Sequence, residues 1–167
     1  MQMRRLGRCV GHELRKGRNR CVALVSGDMG VGKSEFARGA IRAAALSSEL
    51  TGRAITSPTF VLANSYRMPR ARVLRHVDLY RISDVRELDM LGLGSALVSS
   101  TDSFIVEWPQ LVQLPSSISS AGPVAVLNVS IKTSEESSST RVVCIKCHDE
   151  TSADFAKVAV AAFDSKT

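Results

Sequence analysis

The sequence predicts a three-layer α/β domain with a mostly parallel central sheet and antiparallel strands near the C-terminus. Three observations predict it: an apolar run that enters a glycine-rich turn and then a helix, strand-like and helical segments that go on alternating, and two late strand-like runs that read as a hairpin. The 167 residues, 44% apolar and 23% charged, fit one domain over 1–167. A chain of this size buries roughly 70% of its unfolded surface without disulfides or a structural metal, which excludes disordered and small disulfide-stapled classes.

Leu6, Val10, Glu13 and Leu14 share one helical face in an opening helix that Gly17 can end. Residues 21–26 (CVALVS) form a short, continuous apolar run, the signature of a strand covered on both faces. After the glycine-rich turn, Phe36, Ala40, Ile41 and Ala44 mark a helix over 33–46. Strands are expected over 60–65, 73–78 and 104–107, the last stopped by Pro109. Asp84 and Glu87 make a capping box for a helix with Val85, Leu88 and Leu91 on its apolar face and Gly92 at its end. Ser-rich connectors at 116–120 and 134–140 flank strand-like runs 124–131 and 141–147. Thr151 and Asp154 make a second capping box before a closing helix carrying Phe155, Val158, Val160 and Ala161. The sequence contains no internal repeat.

The net charge is +6, but residues 1–20 hold seven basic residues against Glu13, and residues 21–167 balance to zero. A uniformly basic nucleic-acid face is therefore not implied. The basic start has three readings: phosphate or partner contact, an organelle-targeting stretch, or a solvated amphipathic helix. Transit peptides are usually Ser-rich, and no Ser precedes Ser26. No apolar run reaches the ~18 residues of a membrane span, and no secretory signal follows Arg4 and Arg5. The expected location is the cytoplasm, or a mitochondrial or other organelle matrix if the start is a targeting segment. Cys9, Cys21, Cys144 and Cys147 are then expected as reduced thiols.

Residues 27–34 read GDMGVGKS, a full match to G-x-x-x-x-G-K-[ST] between a predicted strand and a predicted helix. Gly27, Gly30 and Gly32 let the backbone bring its N–H groups onto phosphate oxygens, with Asp28, Val31 and Glu35 completing the wrap. Lys33 supplies positive charge to the β- and γ-phosphates, Ser34 offers its hydroxyl to Mg²⁺, and the helix dipole adds a favourable field. The cofactors expected from the motif are therefore a nucleoside triphosphate and Mg²⁺. Asp78 and Glu107 each end a predicted strand, and either suits the metal while the other orients an attacking water; spacing leaves the roles open. Thr59, in a loop, is a candidate for the metal or for sensing the γ-phosphate. Taken singly, His76 reads as a packed strand histidine, Tyr80 as a partly buried aromatic, Arg81 as a surface charge and Trp108 as a core or rim residue.

GDMGVGKS, SPTF at 57–60, HVDLYR at 76–81, D-x-x-E-L-x-x-L-G-L at 84–93 and VEWPQ at 106–110 together resemble, in order and spacing, the TsaE (YjeE) family. These are P-loop ATPases required for making threonylcarbamoyladenosine in tRNA. The resemblance spans about residues 6–110 and is looser over 124–163. It implies that Lys33 and Ser34 bind phosphate and Mg²⁺, that Thr59 is a switch-loop threonine, that Asp78 is an essential aspartate and that Glu107 supports the metal. Trp108 would lie close to the nucleotide, and Tyr80 and Arg81 match by motif only. It further implies hydrolysis that is slow in isolation and acts on the TsaB and TsaD proteins of a transferase complex, with tRNA an indirect partner.

Three features depart from the family. Glu35 stands where a second Thr or Ser is usual, so its carboxylate either repels the nucleotide or turns outward. The chain begins about ten residues later than typical members, so a first strand is expected to be missing and a sheet edge bare. The Ser-rich stretch 134–140 is longer than a tight hairpin needs. Cys144-Ile145-Lys146-Cys147-His148 matches C-x-x-C-H, but cysteines three apart on a strand point to opposite faces, so neither zinc nor haem is expected. One rival function is a small-molecule kinase, with lid arginines drawn from Arg67, Arg70, Arg72 and Arg75. Another is a nucleotide-dependent binding module that scarcely hydrolyses ATP, with Arg4, Arg5 and Arg8 meeting tRNA or a partner.

Overall fold

The computed structural model describes residues 2–17, 20–52, 54–99, 101–111 and 124–164. In chain order its elements are α1 (Gln2–Lys16), β1 (Arg20–Ser26), α2 (Lys33–Ala44), α3 (Ser47–Leu50), β2 (Ala63–Met68), β3 (Arg72–Asp78), α4 (Val85–Met90), α5 (Leu93–Ser99), β4 (Ser103–Glu107), β5 (Val124–Thr133), β6 (Arg141–Cys147) and α6 (Glu150–Asp164). A 3₁₀ turn covers Pro109–Leu111.

The six strands form one sheet in the order β2-β3-β4-β1-β5-β6. β1 sits inside it because its residues are apolar on both sides: Cys21, Ala23 and Val25 join one core cluster, Val22 the other. Strands β3, β4, β1 and β5 run parallel, and the two edge strands run antiparallel to their neighbours. The late hairpin therefore contributes only β6 as an antiparallel strand; the other is β2, at the far edge. Helices α1, α2 and α6 cover one face and α4 and α5 the other, giving three layers.

α1 is an amphipathic helix whose apolar face is buried through Leu6, Cys9, Val10 and Leu14. It lies very close to α2: a Cβ built on Gly7 would stand 2.0 Å from the Phe36 carbonyl oxygen, and one on Gly11 2.2 Å from that of Ala40. Arg5 donates to the Phe163 carbonyl at 2.6 Å and stacks over the Phe163 ring, and Arg15 donates to the Ala45 carbonyl. Arg70 and Arg72 donate to the last carbonyls of α1, at Lys16 and Leu14 among others, where cations are favoured. Arg20, which is buried, donates to the carbonyls of Leu97 and Val98 near the end of α5 and to that of Asp102 just before β4.

Several boundaries differ from expectation. The helix expected over 33–46 ends at Ala44, and the short α3 follows. The strand expected over 60–65 starts at Ala63; Phe60 and Val61 are exposed in a turn, and the buried positions of the strand are Tyr66 and Met68. The Asp84–Glu87 capping box is present, but Leu91 is 51% exposed, and α5 beyond Gly92 buries Leu93 and Leu97. At α6 the cap is Asp149, whose Oδ1 accepts from the Ser152 N–H and hydroxyl, rather than a Thr151–Asp154 box. The connector at 116–120 lies outside the described residues. Among the described residues no helix is long and apolar enough to cross a membrane.

Candidate nucleotide-binding site

The loop between β1 and α2 begins at the carboxyl end of the central strand. Gly27 has φ 139°, and a Cβ there would stand 2.2 Å from the Ile131 carbonyl oxygen, so this position is closed by β5. Gly30 has φ 78°, and among the described residues nothing stands within 4 Å of where its Cβ would be. Gly32 caps α2 without a side-chain hydrogen bond, leaving the first N–H groups of the helix available to an anion. Lys33 is buried; its Nζ donates to the carbonyls of Gly27 and Asp28, both at 2.7 Å, and stands 3.5 Å from the centroid of the Trp108 ring. Burial pushes the Lys33 ammonium below its ordinary pKa, and the carboxylates of Glu107, Asp78 and Asp28 oppose that shift.

Two buried carboxylates face this loop from the ends of β3 and β4, where Asp78 and Glu107 are register partners. Glu107 Oε2 accepts the Ser34 hydroxyl at 2.8 Å, and its Oε1 lies 2.7 Å from His76 Nε2. Asp78 Oδ2 accepts the hydroxyls of Thr59 at 2.6 Å and Ser57 at 2.8 Å, and its Oδ1 accepts the Tyr80 N–H at 3.0 Å. The roles that spacing left open thus separate: Glu107 is tied to the P-loop serine, Asp78 to the loop carrying Thr59. Trp108, at φ 61°, packs against Tyr80 with ring centroids 5.0 Å apart. A cleft of 420 Å³ opens between these groups.

The profile of the family described as threonylcarbamoyl adenosine biosynthesis protein TsaE matches residues 1–143. The chain belongs to the TsaE family. Proteins named tRNA threonylcarbamoyladenosine biosynthesis protein TsaE are similar to it: one from Borreliella burgdorferi is 36% identical over 91 residues, covering 54% of this chain and 61% of that protein. One from Mycobacterium bovis is 37% identical over 109 residues, covering 62% and 60%. The chain thus spans about three fifths of the length of these relatives. The crystal structure of YdiB from Bacillus subtilis superposes with a TM-score of 0.57 over 97% of this chain and 89% of that one; at 18% identity it shows a shared fold.

In this TsaE-family chain the cleft is lined by Gly30, Gly32, Lys33, Ser34, Glu35, Thr59, Asp78, Glu107 and Trp108. Gly27, Asp28 and Val31 do not line it. Asp28 offers its carbonyl to Lys33, while the Val31 side chain is in the core and its carbonyl accepts from Arg141 at 3.3 Å. Glu35 turns to Arg4, at 2.6 Å, and to Arg38. Burial alone would raise its pKa, but those two arginines outweigh it and hold the carboxyl below the usual carboxylate range. The oxygen set of Ser34, Glu107, Asp78 and Thr59 suits Mg²⁺, which takes one or two protein oxygens beside phosphates and water; among the described residues no group of three His, Cys, Asp or Glu could cage a metal.

Sequence reasoning did not single out Ser57, Arg38 or the contact between His76 and Glu107. The readable signals were local: Ser57 stands two residues before Thr59, and His76 shares a strand face with Asp78. The arginines that a kinase lid would need are engaged away from the cleft. Arg67 pairs with Glu49, Arg75 with Asp102, and Arg70 and Arg72 hold the end of α1. Cys144 is exposed and Cys147 half-buried, paired across β5 with Ser130 and Leu127 on opposite faces.

Proposed function

We propose that the chain binds MgATP in this cleft and hydrolyses it slowly on its own, as a Mg²⁺-dependent ATPase of tRNA threonylcarbamoyladenosine biosynthesis that acts on the TsaB–TsaD transferase complex. The observation that carries the reading is the 2.8 Å hydrogen bond from Ser34 to Glu107 directly beside the open Gly30 loop, because it sets a hydroxyl and a carboxylate where a triphosphate's metal is needed. The family name and the names of the relatives support the pathway.

The residues divide the work as follows. Backbone N–H groups around Gly30 and at the start of α2 receive phosphate oxygens. Lys33 exchanges the carbonyls of Gly27 and Asp28 for the β- and γ-phosphates. Ser34 and Glu107 would hold Mg²⁺, which supplies charge neutralisation on the phosphates when bound. Asp78, fixed by Ser57 and Thr59, orients the attacking water. Trp108 and Tyr80 wall the cleft beside Lys33.

ATP turnover measured with and without TsaB and TsaD tests this. Lys33→Ala and Glu107→Gln should each lower partner-stimulated turnover by about 100-fold or more, with melting temperatures close to wild type. Unchanged turnover in both variants would overturn the reading. Nucleotide binding without turnover under any condition would favour a non-hydrolysing binding module.

A further inference from the structure

His76 is fully buried on β3, two residues before Asp78 and on the same face. Its Nε2 lies 2.7 Å from Glu107 Oε1, while Oε2 of the same carboxylate takes the Ser34 hydroxyl at 2.8 Å. Its other ring nitrogen, Nδ1, is equally buried and has no hydrogen-bond partner among the described residues. A carboxylate accepts hydrogen bonds, so Nε2 is the donor in this pair. For packing alone this is a poor choice: neighbouring Leu74 and Ile105 are buried and apolar, and an apolar side chain here would bury no unpartnered ring nitrogen, although it would also take the donor away from Glu107 Oε1.

The return is orientation. With one donor on each oxygen, Glu107 has a single arrangement beneath the loop; without His76, the carboxylate is free to rotate and Oε2 loses its aim at Ser34. We propose that His76 is a positioning residue: by donating from Nε2 to Glu107 Oε1 it fixes the carboxylate that meets the metal and so sets how strongly Mg²⁺ enhances nucleotide binding. The proposal rests on the MgATP reading above and goes further, since it names a determinant of metal dependence that does not itself touch nucleotide.

The test is isothermal titration of ATP at a series of Mg²⁺ concentrations, and again in EDTA, for wild type, His76→Gln, His76→Asn and His76→Leu, with melting temperatures of the nucleotide-free proteins. The glutamine amide nitrogen reaches about as far as Nε2, whereas that of asparagine reaches only as far as Nδ1. The Mg²⁺ midpoint should rise about 10-fold in the Leu and Asn variants and stay within about 3-fold of wild type in Gln, in the range for residues that support metal ligands. Affinity in EDTA should be the same in all four. Equal midpoints throughout, or equal shifts in Gln and Asn, or losses that persist in EDTA and follow the melting temperature, would overturn the proposal. If His76→Leu does not fold, the Gln and Asn pair decides. Wild-type protein that binds no ATP with Mg²⁺ present would overturn the proposed function itself, whereas normal wild-type binding with unshifted variants would overturn this inference alone.

Discussion

Gly27 and Gly30 stand three residues apart in one loop, both with positive φ, and the surrounding space gives them different tasks. At Gly27 a methyl group would collide with the Ile131 carbonyl, while at Gly30 it would meet no atom of the described residues. Gly27→Ala should therefore destabilise the fold by about 2–3 kcal/mol, through overpacking and backbone strain. Gly30→Ala should cost only about 1 kcal/mol in stability, yet weaken ATP binding by at least about 10-fold, because its methyl group would occupy the room left for phosphate. Denaturant melts and ATP titrations of both variants check this; equal effects on stability would mean that the Gly30 space is not a phosphate seat. The same loop shows what was readable at this scale. Lys33 and Ser34 were legible because the motif is contiguous. The link from His76 to Glu107 was not, because residues 31 apart meet only through the parallel register of β3 and β4.

α1 and α2 are held by glycine-mediated contact more than by charge. Arg4 reaches Glu35 across the pair, but both groups are over a third exposed, and such ion pairs contribute little. The close approach at Gly7, Gly11 and Gly39 is instead a matter of volume. Gly11→Ala should push α1 off Ala40 and lower stability by about 2 kcal/mol, readable as a fall of several degrees in melting temperature. Arg4→Ala should change it by under about 1 kcal/mol. The opposite ranking would show that charge, not contact, seats the helix. Element types were mostly legible because hydrophobic period and capping residues are local signals. The failures have physical causes. Apolar Phe60 and Val61 pointed to a strand, but these side chains are exposed in the turn and the sheet takes the next residues instead. Gly92 marks the end of α4 as read, yet the chain resumes as α5 because Leu93 and Leu97 find the second core cluster.

Across the whole molecule, the sheet order places the P-loop strand between β4 and β5, so that its loop faces the ends of β3 and β4 and their two carboxylates. Neither the edge position of β2 nor the parallel pairing of β5 with β1 was readable from the chain, because both depend on which partner each strand finds. Part of the excess positive charge of the first twenty residues is engaged by the fold itself: Arg5, Arg15 and the buried Arg20 all donate to backbone carbonyls. The central claim is that this loop grips a triphosphate through Lys33, and the chain carries its own reporter in Trp108, the single tryptophan, 3.5 Å from the Lys33 ammonium. Titrating ATP with Mg²⁺ up to about 1 mM while following intrinsic fluorescence should give a saturable change in wild type and none in Lys33→Ala. Wild-type emission that stays flat, with no heat of binding over the same range, would contradict the account.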